Sequence, residues 1–115
     1  MALVVILATS CATQKGVQVR FRNDSGEDFT QLQARFRDTT ITLDGLRAGE
    51  TSRPVRVTKT FPYFSTTVMT ARDTLTYLPI DNVGQEEMTG GKLTLYLSIV
   101  PAGTGRRLEM RSSKP

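Results

Sequence analysis

Few side chains in this sequence are equipped for chemistry, and those few stand apart. Histidine is absent, so Ser-His-Asp, Cys-His and imidazole–metal mechanisms lie outside what the chain can do alone. The single cysteine, Cys11, excludes an internal disulfide and a cysteine zinc site. Asp81, Glu86 and Glu87 offer carboxylate oxygens on one segment, the donors Ca²⁺ takes. Their spacing lacks the alternating acids of a calcium loop, so no metal is expected and Asp81 reads as a turn residue. Glycoside cleavage needs two acids facing each other across a cleft, and no spacing here marks such a pair. The expectation is a protein without catalytic residues, metal or cofactor. One cluster remains. Phe61, Tyr63 and Phe64 surround Pro62, and aromatics beside an irregular segment suit a binding patch. The competing reading packs Phe64 into the core and leaves Tyr63 half covered on an edge.

Charge adds a second candidate surface. The formal net charge is +4, with basic residues spread from Lys15 to Lys114 among acids. The densest basic feature is the pair Arg106-Arg107, which is poor support for nucleic-acid binding. Arg20, Arg22, Arg35, Arg37, Arg53 and Arg56, however, share the outward phase of their predicted strands. If those strands adjoin, they form a positive stripe fit for an acidic partner, a glycan phosphate or an anionic membrane surface.

Period-two alternation must position these residues. Val17, Val19 and Phe21 alternate with Gln18, Arg20 and Arg22, the signature of a strand with one buried face. Asn23-Asp24-Ser25-Gly26 then turns the chain. Further strands are predicted at 29–36, 39–43, 53–58, 63–70, 74–78, 93–100 and 106–111, with turns at Gly45, Gly49 and Ala71 to Asp73. The segment 79–91, containing Asp81, Gly84 and Gly91, reads as a long loop with one helical turn at 85–88. Seven or eight short strands with turns between them predict an all-β fold. The leading form is an Ig-like antiparallel β-sandwich, with a small β-barrel as runner-up. An Ig-type disulfide is impossible, and no Trp is present to fill the core.

The first residues break the pattern. Ala2 to Ala8 is apolar without alternation, and small residues lead to Cys11. This stretch resembles a bacterial lipoprotein signal, in which lipid joins the Cys thiol and cleavage just before it makes Cys the mature N-terminus. Two departures stand out: Ala8 holds the usual Leu position, and no Lys or Arg precedes Leu3. The resemblance divides the chain into a signal segment 1–10, a tether 11–16, one domain 17–111 and a flexible tail 112–115. The alternative is a buried first strand with Cys11 as a small hydrophobe.

The chain as a whole is similar to a group of small exported lipoproteins of Bacteroidetes-type bacteria. The shared features are Cys11, Asn23-Asp24-Ser25-Gly26, Leu46 to Thr51, Tyr63-Phe64, Pro79 to Gly84, and Gly91 before Leu93 to Ile99. Gln85 replaces the group's acid, with Glu86 beside it. The resemblance implies a β-sandwich in the cell envelope, on the outer or inner membrane. The absence of acids directly after Cys11 favours a periplasm-facing position. It supplies no mechanism. The expected function is therefore a non-catalytic, membrane-tethered envelope module, held by lipid on Cys11 and making protein or glycan contacts. The alternative is a soluble exported binding or inhibitor domain. Nucleic-acid binding ranks third and requires an uncleaved, cytosolic chain.

Overall fold

The computed structural model of the protein describes residues 16–36, 39–61, 63–79 and 87–113. Expectations for Cys11, Arg37, Asp81 and Gly84 lie outside these residues. Eight strands follow in order: β1 Gly16–Asn23, β2 Gln31–Arg35, β3 Thr40–Leu43, β4 Val55–Val57, β5 Thr66–Met69, β6 Thr74–Tyr77, β7 Gly90–Ala102 and β8 Gly105–Ser113. They form two four-stranded sheets, ordered β4-β1-β7-β8 and β3-β2-β5-β6. Each sheet ends in two edge strands, so the architecture is a sandwich and not a closed barrel. β6 and β8 approach each other along one seam without pairing.

Alternation builds the core. Val17, Val19 and Phe21 from β1, Leu93, Leu95 and Leu97 from β7, and Leu108 from β8 meet Leu32, Ala34 and Val68 of the facing sheet, all buried. Phe64 joins the layers: its ring meets Phe21 edge-on at 6.1 Å and Phe36 at 4.4 Å. Such aromatic contacts take the place of the disulfide and Trp that an antibody domain would use.

The structure corrects several boundaries. β1 and β7 pair in parallel, Gly16 to Gly90 through Asn23 to Leu97, within otherwise antiparallel sheets. This ladder draws Gly91, read as a turn residue, into β7 opposite Val17, where its φ of 88° still demands glycine. Met88 is extended, exchanging two backbone hydrogen bonds with Thr60, so residues 87–88 do not belong to a helical turn. Gly16, assigned to the tether, begins β1, and Ser112 and Ser113, assigned to the tail, pair with Leu95 and Thr94. The link 101–105 shrinks to the two residues between Ala102 and Gly105. Gly103 has φ 60° and Thr104 is not positive, the pattern of a type II′ hairpin turn. Gly26, Gly45 and Gly49 have φ of 81°, 149° and 81°.

One buried polar residue closes the end of the sandwich where β1 finishes. Asn23 is fully buried. Its Nδ2 donates to the Glu27 carbonyl at 2.6 Å and the Leu46 carbonyl at 2.9 Å. Its Oδ1 accepts from the Ser25 backbone N–H at 3.0 Å and the Ser25 hydroxyl at 2.6 Å. Each polar atom of the side chain thus has two partners, as a buried amide requires. Replacing Asn23 by Ala strands these groups and is expected to cost about 1–3 kcal/mol in chemical denaturation. A loss below a few tenths of that range would show that the amide is not holding the loop.

Candidate functional site

The sequence offers nine binding candidates, three aromatics and six arginines, and the fold divides them. Phe64 is a core residue, only 6% exposed, because its strand phase matches Thr66 and Val68. Phe61 and Tyr63 stay half-buried, and the Tyr63 ring lies 6.5 Å from that of Tyr77. Arg35, exposed at the end of β2, comes beside them. These residues share an open cleft of about 330 Å³ whose walls include Arg35, Phe61, Tyr63, Phe64, Pro79 and Glu87. The cleft lies at the end of the sandwich where β2 and β6 finish and where β1 and β7 begin. Two half-exposed rings and a guanidinium there can stack on a flat apolar face and pair with an acid.

The arginines do not make a single stripe. Arg35 belongs to the second sheet. Arg20 and Arg22 lie on β1 and Arg56 on β4, which pairs with β1 through Gln18 opposite Arg56. Those three therefore share the outer face of the first sheet, and Arg53 is exposed in the segment leading into β4. Arg22 is engaged by Asp24 at 2.8 Å and by the Thr51 hydroxyl at 3.2 Å. The parallel neighbour β7 adds Lys92 opposite Gln18, and β8 adds Arg111, whose guanidinium sits 4.5 Å above the Tyr96 ring. Lys92 and Arg111 occupy the outward phase of their strands. That phase was readable in the sequence, but their place on one sheet with β1 was not.

In the sequence Arg106 registers only as half of the basic pair with Arg107. Although it stands next to the exposed Arg107, its side chain is only 17% exposed. Its Nε and Nη2 grip Asp73 at 3.0 and 2.7 Å, and it also pairs with Glu27. The Thr70 hydroxyl donates to Asp73 at 2.6 Å. The clasp ties the β1–β2 loop and the β5–β6 turn to the start of β8. Alternation explains its placement: Arg106 shares the inward phase of Leu108 and Met110, but at the rim, where only an ion-paired cation can be accommodated.

Among the described residues no group of three His, Cys, Asp or Glu side chains converges on a metal-sized site. No protein-family model matches the chain, and no curated protein matches it.

The clasp has a pH signature. Hydrogen bonds from Arg106 hold Glu27 below its ordinary value, and those from Arg106 and then Thr70 bring Asp73 down to about 2. A depressed folded-state value means that the stabilisation is complete above the unfolded carboxyl range of about 4. It is lost as pH falls through that range toward the folded value. Solvent reaches both carboxylates, so the effect is modest. The unfolding midpoint should fall on acidification through this window, and Asp73→Asn should flatten the fall. An Asp73→Asn profile parallel to that of the parent would show that the clasp does not contribute.

Proposed function

We propose that the protein is a non-catalytic, membrane-tethered module of the cell envelope, held by lipid on Cys11 and facing the periplasm. It makes protein or glycan contacts through the cleft formed by Arg35, Phe61 and Tyr63. The observation that carries the contact reading is the sharing of one open cleft by two half-exposed rings and an exposed guanidinium, a combination suited to recognition. The apolar leader ending at Cys11 supports the tether. The same cleft would serve a soluble exported binding or inhibitor domain if the thiol is not acylated.

Two measurements test this. Palmitate should label the chain, and Cys11→Ala should abolish the label; full-length unlabelled protein in the cytosol would refute the tether. In capture from envelope extract, the double variant Arg35→Ala/Tyr63→Ala should lose about tenfold in retained partner while its unfolding midpoint stays close to that of the parent. Phe64→Ala should instead destabilise the fold by about 3–5 kcal/mol, as a core aromatic does. Undiminished capture by the double variant would remove the cleft from the function.

A further inference from the structure

The two outer faces of the sandwich differ sharply in charge. The strands of the first sheet carry seven cations, Arg20, Arg22, Arg56, Lys92, Arg106, Arg107 and Arg111, against one anion, Glu109. Arg106 turns inward to its clasp, and Arg107 pairs with Glu109 at 2.8 Å. Arg22 is engaged by Asp24, which leaves Arg20, Lys92 and Arg111 on the outer face. Arg20 and Lys92 form no ion pair among the described residues. The second sheet's strands carry one charge, Arg35. Its outer face holds that cation at the end of β2 and is otherwise an uncharged lattice in which Thr42, Gln33, Thr67 and Thr76 form one row across all four strands. A hydrogen bond of 3.0 Å joins the Thr67 and Thr76 hydroxyls.

The chain enters the basic face at its rim. Gly16 begins β1, and a groove of about 510 Å³ bordered by Gly16, Arg56, Lys59 and Thr89 lies beside it. A Cβ at Gly16 would lie 2.5 Å from the Val57 carbonyl oxygen, so the chain enters closely packed against β4. Residues 12–16 span at most about 18 Å when fully extended. A lipid on Cys11 would therefore hold this rim close to the headgroups. Gln18 sits between Arg56 and Lys92 in one ladder row, with Arg20 two residues further along β1. With strands about 4.8 Å apart, that row spans roughly 10 Å.

We propose that the outer face of the first sheet docks on an anionic phospholipid surface, with Arg20, Lys92 and Arg111 over the headgroups. The outer face of the second sheet, with its single cation Arg35, points away. This orientation rests on the tether reading for its biological setting, but the attraction itself needs no lipid on the chain. Basic residues near such a surface each contribute modestly and additively, within a Debye length. The Arg111 guanidinium lies over the Tyr96 ring, 4.5 Å from its centroid, on this same face.

The test uses the full chain as Cys11→Ser, so that no acyl group can bind. It should sediment with vesicles of phosphatidylcholine and phosphatidylglycerol but not with phosphatidylcholine alone, and added salt should release it. Arg20→Gln, Lys92→Gln and Arg111→Gln should each lower partitioning about fivefold, whereas Thr42→Gln on the opposite face should leave it unchanged. Binding by Cys11→Ser supports the docking whatever the palmitate label shows. Absence of binding to anionic vesicles overturns the docking and leaves the tether to the label. Equal losses from Thr42→Gln, or tighter binding to a double-stranded oligonucleotide at the same salt, would also overturn it.

Discussion

Everything in this fold depends on the register of β1. It is hydrogen bonded on both sides, antiparallel to β4 and parallel to β7. Its odd positions, Val17, Val19 and Phe21, are fully buried, and its even positions, Gln18, Arg20 and Arg22, lie on the outer face. Side chains on a strand alternate with period two, so a slip of one residue would send arginines into the core and valines into water. The same constraint that packs the interior therefore creates the basic face. Core and candidate surface are two sides of one ladder.

The two ends of the sandwich are built differently. Where β1 finishes, a buried amide and a half-sunk arginine tie the loops together: Asn23 holds the Ser25–Glu27 segment and the Leu46 carbonyl. Arg106 holds Glu27 and Asp73. Polar groups withdrawn from water in this way must be satisfied, and here they brace connections that have few apolar contacts of their own. Where β1 starts, the chain instead presents half-exposed aromatic rings, an open cleft and the exit toward Cys11. Bracing at one end and accessibility at the other is consistent with a module that holds its shape while using one end and one face for contacts.

Alternation made most of this legible beforehand. The buried residues of β1, Val17, Val19 and Phe21, are the ones its alternation marks, and Gly45 and Gly49 fall between strands as their residue type requires. Non-local pairing did not show. Nothing in GVQVRFRN says that it will lie parallel to GGKLTLYL, so the joining of Arg20 with Lys92 and Arg111 was out of reach. So was the separation of Arg35 onto the other sheet. Arg106 was hidden for a related reason. Its inward phase was visible, but its partners Glu27 and Asp73 lie 79 and 33 residues away, and a cation at an inward position is unintelligible without them. Phe64 shows the opposite case: its phase with Val68 already argued for the core, and proximity to Phe61 and Tyr63 was the weaker signal.

The proposed docking gives the two faces of one sandwich different neighbours, a membrane surface on one side and open space on the other. Site-specific protection reads this directly. In the Cys11→Ser chain, a single cysteine placed by Thr94→Cys lies opposite Arg20 on the first sheet, and one placed by Thr42→Cys lies opposite Gln33 on the second. The rate of maleimide labelling of each is compared with and without phosphatidylglycerol-containing vesicles. The account predicts that vesicles slow labelling at position 94 and leave position 42 unaffected. Equal rates at both positions, or protection of position 42 alone, would contradict it.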